Sequence, residues 1–200
     1  MKIQQYLLVL LEVLFPYMLN ADVTEDIHFS HIGLEEGLSH STIFAINQDK
    51  GGNLWFATYD GVNKYDGYNF IVYRHQYTNP KSIASDISRC ITMDDSDRIW
   101  IGTREGLSLY NHYKDEFSNY YYKRNGLNVA VTSIIPIKKD WLMLGTAEGI
   151  LLFDVKKECF LSDTLSSSLH GLQPAALVRQ GDCIYICLLY TSPSPRDRSL

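Results

Sequence analysis

The chain has 200 residues, 46% apolar and 20% charged, which excludes a disordered polymer and fits one folded domain of ordinary size. Its formal net charge of -5, without any stripe rich in Lys or Arg, excludes a nucleic-acid surface, because phosphate binding needs clustered positive charge to displace counterions. No Gly-rich phosphate loop, nucleophile elbow or Cys-x-x-Cys pair is present, so neither catalysis nor a cofactor is expected of this segment.

At the N-terminus, Lys2 precedes an apolar run from Tyr6 to Met18, and Leu19-Asn20-Ala21 places a small residue before Asp22. This pattern predicts a secretory signal peptide over residues 1–21, cleaved after Ala21. The run is shorter than the roughly 20 apolar residues of a membrane-spanning helix. Residues 22–40 read as a lead-in, in which Ile27 to Ile32 is a candidate strand for joining a closing blade. His28 and His31 stand at an odd separation, which puts them on opposite faces of an extended segment. His40, His75, His112 and His170 have no ligand-type spacing either, so no metal site is expected.

From Ile43 the chain repeats itself. IFAINQDKGGNLWFATYDGVNKYDG, starting at Ile43, matches ISRCITMDDSDRIWIGTREGLSLYN, starting at Ile87, in one gapless register that sets Ile43 opposite Ser88. Trp55 and Trp100, Thr58 and Thr103, Gly61 and Gly106, and Tyr65 and Tyr110 are each 45 residues apart. A third copy, Val131 to Asp154, carries Gly145, Thr146 and Gly149 in the same slots at a spacing of 43 from the second, with Met143 in the tryptophan slot and Trp141 where the second copy has Arg98. A fourth begins at Ala176.

Within the first copy, strands are predicted at Ile43–Asn47, Leu54–Thr58, Val62–Tyr65 and Asn69–Tyr73, separated by turns rich in Asp, Asn and Gly. Four antiparallel strands per period of this length describe one blade of a β-propeller. The fold class is therefore all-β: a partial β-propeller of three four-stranded blades plus the start of a fourth. The expected boundaries are 41–76 for blade 1, 77–122 for a loop and blade 2, 123–162 for blade 3 and 163–186 for the start of blade 4. A four-stranded sheet cannot bury both its faces alone, so Trp55 and Trp100 are expected between blades. Gly61, Gly106 and Gly149 are expected at turns that need positive φ.

From Cys187 the run CLLYTSPSPRD resembles a frame translation of a transposase adapter used in sequencing libraries, which marks residues 187–200 as artefact. The repeat agrees: the Gly-Thr slots of the fourth copy hold Cys187-Leu188. Cys90, Cys159 and Cys183 then remain, with no metal-type spacing and no disulfide framework that the sequence selects.

The strings LWFATYDGVNKYDGYNF and IWIGTREGLSLYN, the opening HIGLEEGLSHSTI and the loop Tyr77-Thr78-Asn79-Pro80-Lys81-Ser82-Ile83 resemble the two-component regulator propeller repeat of hybrid two-component sensor histidine kinases. The resemblance spans residues 27 to 186. It implies a periplasmic sensor region of a membrane-anchored, homodimeric receptor, with an oligosaccharide ligand and control of polysaccharide-utilisation genes. The histidine kinase itself would lie elsewhere in the parent protein.

Candidate ligand contacts are the Tyr59-Asp60 and Arg104-Glu105 turns and the Tyr120-Tyr121-Tyr122 group, because aromatic faces stack on sugar rings and charged groups bond hydroxyls. An alternative reading is a secreted β-propeller carbohydrate-active enzyme. It is motivated by the acidic turn Asp49 to Trp55, which resembles a sialidase Asp-box with one residue too many, and by Asp94, Asp95 and Asp97 in the next copy.

Overall fold

The computed structural model describes residues 29–138, 140–161 and 174–188. The predicted signal peptide and most of the 187–200 run lie outside the described residues, as do Ile27, His28 and His170. Of the candidate closing strand, Phe29 to Ile32 is described and is not strand.

Every regular element among the described residues is a β-strand. The first sheet contains β1 (Ile43–Gln48), β2 (Leu54–Thr58), β3 (Val62–Tyr65) and β4 (Phe70–Tyr73), paired antiparallel in that order. The second contains β5 (Ser88–Met93), β6 (Ile99–Thr103), β7 (Leu107–Asn111) and β8 (Glu116–Tyr120). A two-stranded hairpin, β9 (Lys123–Arg124) and β10 (Leu127–Asn128), precedes the third sheet, β11 (Val131–Lys138), β12 (Trp141–Thr146), β13 (Gly149–Asp154) and β14 (Cys159–Leu161). Finally β15 (Pro174–Gln180) pairs with β16 (Cys183–Leu188), which continues through Cys187 and Leu188. The strands of the first sheet agree with the sequence pattern to within one residue at each end.

The sheets stack face against face in chain order. The first strands β1, β5, β11 and β15 approach one another in succession, so the sheets converge on those strands as propeller blades do. Alternation explains how one strand serves two interfaces: Ile99 and Ile101 of β6 pack back against Trp55, Ala57 and Val62 of the first sheet, while Trp100 packs forward against Val131, Leu142, Leu144 and Phe153 of the third. Met143 points forward in the same way, into a cluster with Leu177. Trp55 and Trp100 are both fully buried.

An acidic residue fixes each tryptophan. The Asp49 Oδ2 accepts the Trp55 indole N–H at 2.9 Å and its Oδ1 accepts the Asn53 backbone N–H at 2.9 Å. Asp94 does the same for Trp100 at 2.9 Å and for the Arg98 backbone N–H at 3.0 Å. In the third sheet Met143 has no indole N–H.

Burial works to raise the Asp49 pKa, but the hydrogen bonds from Trp55 and Asn53 outweigh it and hold the carboxyl below its ordinary 3.8. A group depressed by folding stabilises the native state above its unfolded pKa, and that contribution disappears as pH falls through the folded value. Thermal unfolding should therefore show stability falling below about pH 4. Asp49→Asn should flatten that dependence and cost about 1 to 3 kcal/mol at neutral pH. An unaltered pH profile for this variant would contradict the assignment.

Candidate functional site

The β2–β3, β6–β7 and β12–β13 turns are built by one device used three times. Thr58, Thr103 and Thr146 are buried, and their hydroxyls donate to the carbonyls of Gly61, Gly106 and Gly149 at 3.0, 3.0 and 2.7 Å. Each Thr Oγ1 also accepts the backbone N–H two residues on, from Asp60, Glu105 and Glu148. Gly61 closes its turn at φ +87°, and a Cβ there would collide with the Tyr73 carbonyl. The threonine thus fixes an acidic side chain in the same place on each blade.

What meets that acid differs. Asp60 is clamped by Arg74, with Nε to Oδ1 and the second guanidinium nitrogen to Oδ2 both at 2.9 Å, which holds its carboxyl below the ordinary range. Glu148 pairs with Arg124 of the β9–β10 hairpin at 3.0 Å. Among the described residues Glu105 meets no cation; its Oε2 accepts a hydrogen bond from the Asn128 amide at 2.9 Å. Among the described residues Arg104, beside it, has neither ion pair nor hydrogen bond from its side chain.

A cleft of about 470 Å³ opens here, lined among others by Arg104, Glu105, Tyr121, Asn128, His75 and Asp86. The Asn128 Oδ1 is buried and accepts no hydrogen bond. Asp86 accepts the His75 backbone N–H at 2.6 Å, and His75 Nδ1 stands 2.8 Å from the Ile83 carbonyl. The Tyr121 ring is 44% exposed, and burial together with the Glu105 charge pushes its hydroxyl pKa up. This surface offers an open guanidinium, an unfilled acceptor and an aromatic face.

Of the residues singled out from sequence, Arg104, Glu105 and Tyr121 come together in this cleft. Tyr59 and Asp60 lie elsewhere, Tyr59 against His40 and Phe44, with ring centroids 5.6 and 6.3 Å away. Tyr120 and Tyr122 are packing residues, Tyr120 against Trp100 and Phe153, Tyr122 against Phe160. Sequence reasoning missed His75, Asp86 and Asn128, which sit in connections between blades and have no like residue at the repeat spacing. The Asn125-Gly126 pair, both at positive φ, was the available signal for the hairpin that carries Asn128.

Asp49 and Asp94 are committed to their turns and tryptophans, so the acidic turns are not a pair of free carboxylates. A second cleft of about 540 Å³ beside those turns is bridged by Lys50 and Asp97 at 3.6 Å. Among the described residues no group of three or more His, Cys, Asp or Glu could hold a metal ion. All four cysteines are free thiols, and burial pushes the Cys90 pKa up to about 12.

The family model described as two component regulator propeller matches residues 37–60. "Histidine kinase P4" of Formosa agariphila is 47% identical over 49 residues, 24% of this chain and 4% of that protein. The extracellular domain assigned to the hybrid two-component system BT3049 of B. thetaiotaomicron is 30% identical with a TM-score of 0.66, over 78% of this chain and 23% of that one. The extracellular domain of BT4673 from the same organism, 17% identical with a TM-score of 0.65 over 80% of this chain and 21% of that one, shares the fold. The chain therefore spans a small part of each protein that it matches. Residues 37–60 thus match the two-component regulator propeller repeat, and the chain is similar in sequence and fold to part of the extracellular domain of a hybrid two-component system.

Proposed function

We propose that this chain is part of the periplasmic ligand-sensing region of a hybrid two-component histidine kinase, exported by its N-terminal signal peptide, and that the Arg104–Glu105–Tyr121–Asn128 cleft receives an oligosaccharide. In this reading the parent is a membrane-anchored homodimer, and ligand binding switches transcription of polysaccharide-utilisation genes. The observation that carries the ligand class is the buried Asn128 Oδ1 without a donor, in a cleft with the Tyr121 ring and the Arg104 guanidinium. A sugar supplies what those groups lack: hydroxyl donors for the amide oxygen, hydroxyl acceptors for the guanidinium and an apolar ring face for the tyrosine. Residues on turns held by a rigid scaffold are also where binding concentrates.

The test is calorimetric titration of the complete extracellular region with a panel of plant and glycosaminoglycan oligosaccharides. At least one should bind, and Tyr121→Ala and Arg104→Ala should each weaken it about tenfold or more. Binding that both variants leave unchanged would move the site elsewhere, and no binding across the panel would reject the sensing role for oligosaccharides.

A further inference from the structure

The first strand of every blade carries a bulge at the same register. Pairing slips between Ile43 and Ala45, between Ser88 and Cys90, between Val131 and Ser133 and between Pro174 and Ala176. The skipped residues are Phe44, Arg89, Thr132 and Ala175. A bulge leaves one residue out of the ladder and re-aims its side chain, which is why bulges cluster beside functional sites.

In the first two blades the bulge is registered against the turn between the second and third strands. The Tyr59 N–H donates to the Thr42 carbonyl at 3.4 Å, and the Arg104 N–H to the Ile87 carbonyl at 2.9 Å, two residues before the bulge in both blades. In blade 1 this register brings the Phe44 and Tyr59 rings to 6.3 Å, with both rings exposed. In blade 2 the same two register positions are held by Arg89, at the bulge, and Arg104, on the turn. The two stations touch, since the Arg89 guanidinium lies over the Phe44 ring at 4.8 Å from its centroid.

Neither arginine has a carboxylate partner among the described residues. The acids of the same turns are engaged otherwise, Asp60 by Arg74 and Glu105 by Asn128. A guanidinium stacked on an aromatic face keeps its edge N–H groups free for bidentate bonding to a planar or tetrahedral anion.

We propose that Phe44 and Tyr59 of the first blade and Arg89 and Arg104 of the second form one subsite for an anionic saccharide. The rings take a sugar face and the guanidiniums take its carboxylate or sulfate. The inference rests on the oligosaccharide reading above and narrows it to acidic sugars.

Titrating the complete extracellular region with three probes tests it: a galacturonate tetramer, its carboxyl-reduced galactose counterpart and a heparin-derived tetrasaccharide. One of the two anionic probes is expected to bind at least about tenfold more tightly than the neutral one, and which of them does so separates carboxylate from sulfate. Arg89→Gln, an exposed position outside the cleft, should remove most of that preference and weaken the salt dependence while leaving the melting temperature unchanged. Equal binding of the neutral and anionic probes, or a preference that survives Arg89→Gln, overturns the subsite while the oligosaccharide reading stands. No binding of any of the three overturns the subsite, and the wider panel then decides the sensing role.

Discussion

Replacing Trp100 by alanine is expected to lower the unfolding free energy of the extracellular region by about 3 to 5 kcal/mol, the range for a large aromatic removed from a core. Trp100 is fully buried between the second and third sheets, in edge contact with Phe153 at 5.7 Å and tilted against Tyr120 at 6.2 Å. Three losses add in the same direction. The ring's apolar area is no longer removed from water, a cavity opens between two sheets whose other contacts hold them apart, and Asp94 loses the indole N–H from its Oδ2. Trp100→Phe separates them, because it fills most of the space but donates nothing to Asp94. It should cost clearly less than the alanine. Chemical denaturation of the three proteins measures this, and equal losses for alanine and phenylalanine would assign the effect to the hydrogen bond instead of to packing. Because each blade touches only its neighbours, hydrogen exchange should rise first in β6, β11 and β12.

The second large effect is expected at Gly102, the fourth of the five residues of β6. A Cβ built there would collide with the Cys90 Sγ and would lie 2.8 Å from the Val131 carbonyl oxygen and 2.9 Å from the Val131 Cγ1. The thiol can move, but the Val131 carbonyl belongs to the first strand of the next blade, so relief requires the blades to separate. Gly102→Ala should therefore cost at least about 1 to 3 kcal/mol, and Gly102→Val more. Adding Cys90→Ala to Gly102→Ala should recover part of the loss, since one of the two obstacles is gone, and the double-mutant cycle gives the coupling. Full recovery would show that the blades were never in contention. The corresponding slot in blade 1 holds Ala57, fully buried, so that interface has room for the methyl that the next one lacks.

The repeat residues of the sequence have local jobs, which explains why they were legible. Tryptophan near the start of the second strand, threonine at its end and glycine three residues later form hydrogen bonds almost wholly within their own blade, so one copy predicts the next. The period also reaches further back than a blade boundary suggests. Leu38 and Ile83, both buried and 45 residues apart, precede equivalent first strands, and Asn63 and Ser108 bond the backbone N–H of the residue after each, Ser39 at 2.9 Å and Ala84 at 3.2 Å. Part of the lead-in is thus the counterpart of the loop between blades 1 and 2.

The candidate site was half visible. Arg104 and Glu105 stand out in a turn that repeats, but their surroundings come from His75, Asp86, Tyr121 and Asn128, which have no like residue at the repeat spacing. The sequence alone therefore determined the strands, the period, the interface tryptophans and the threonine-glycine turns, since these depend on alternation and on contacts only a few residues apart. Only the tertiary structure decided which turn acids are neutralised, which arginines have no carboxylate partner among the described residues and which tyrosine faces a cleft. Those outcomes depend on side chains 14 to 24 residues apart meeting across a turn, as Arg74 and Asp60, Asn128 and Glu105, and Arg124 and Glu148 do, and no local pattern encodes such a meeting.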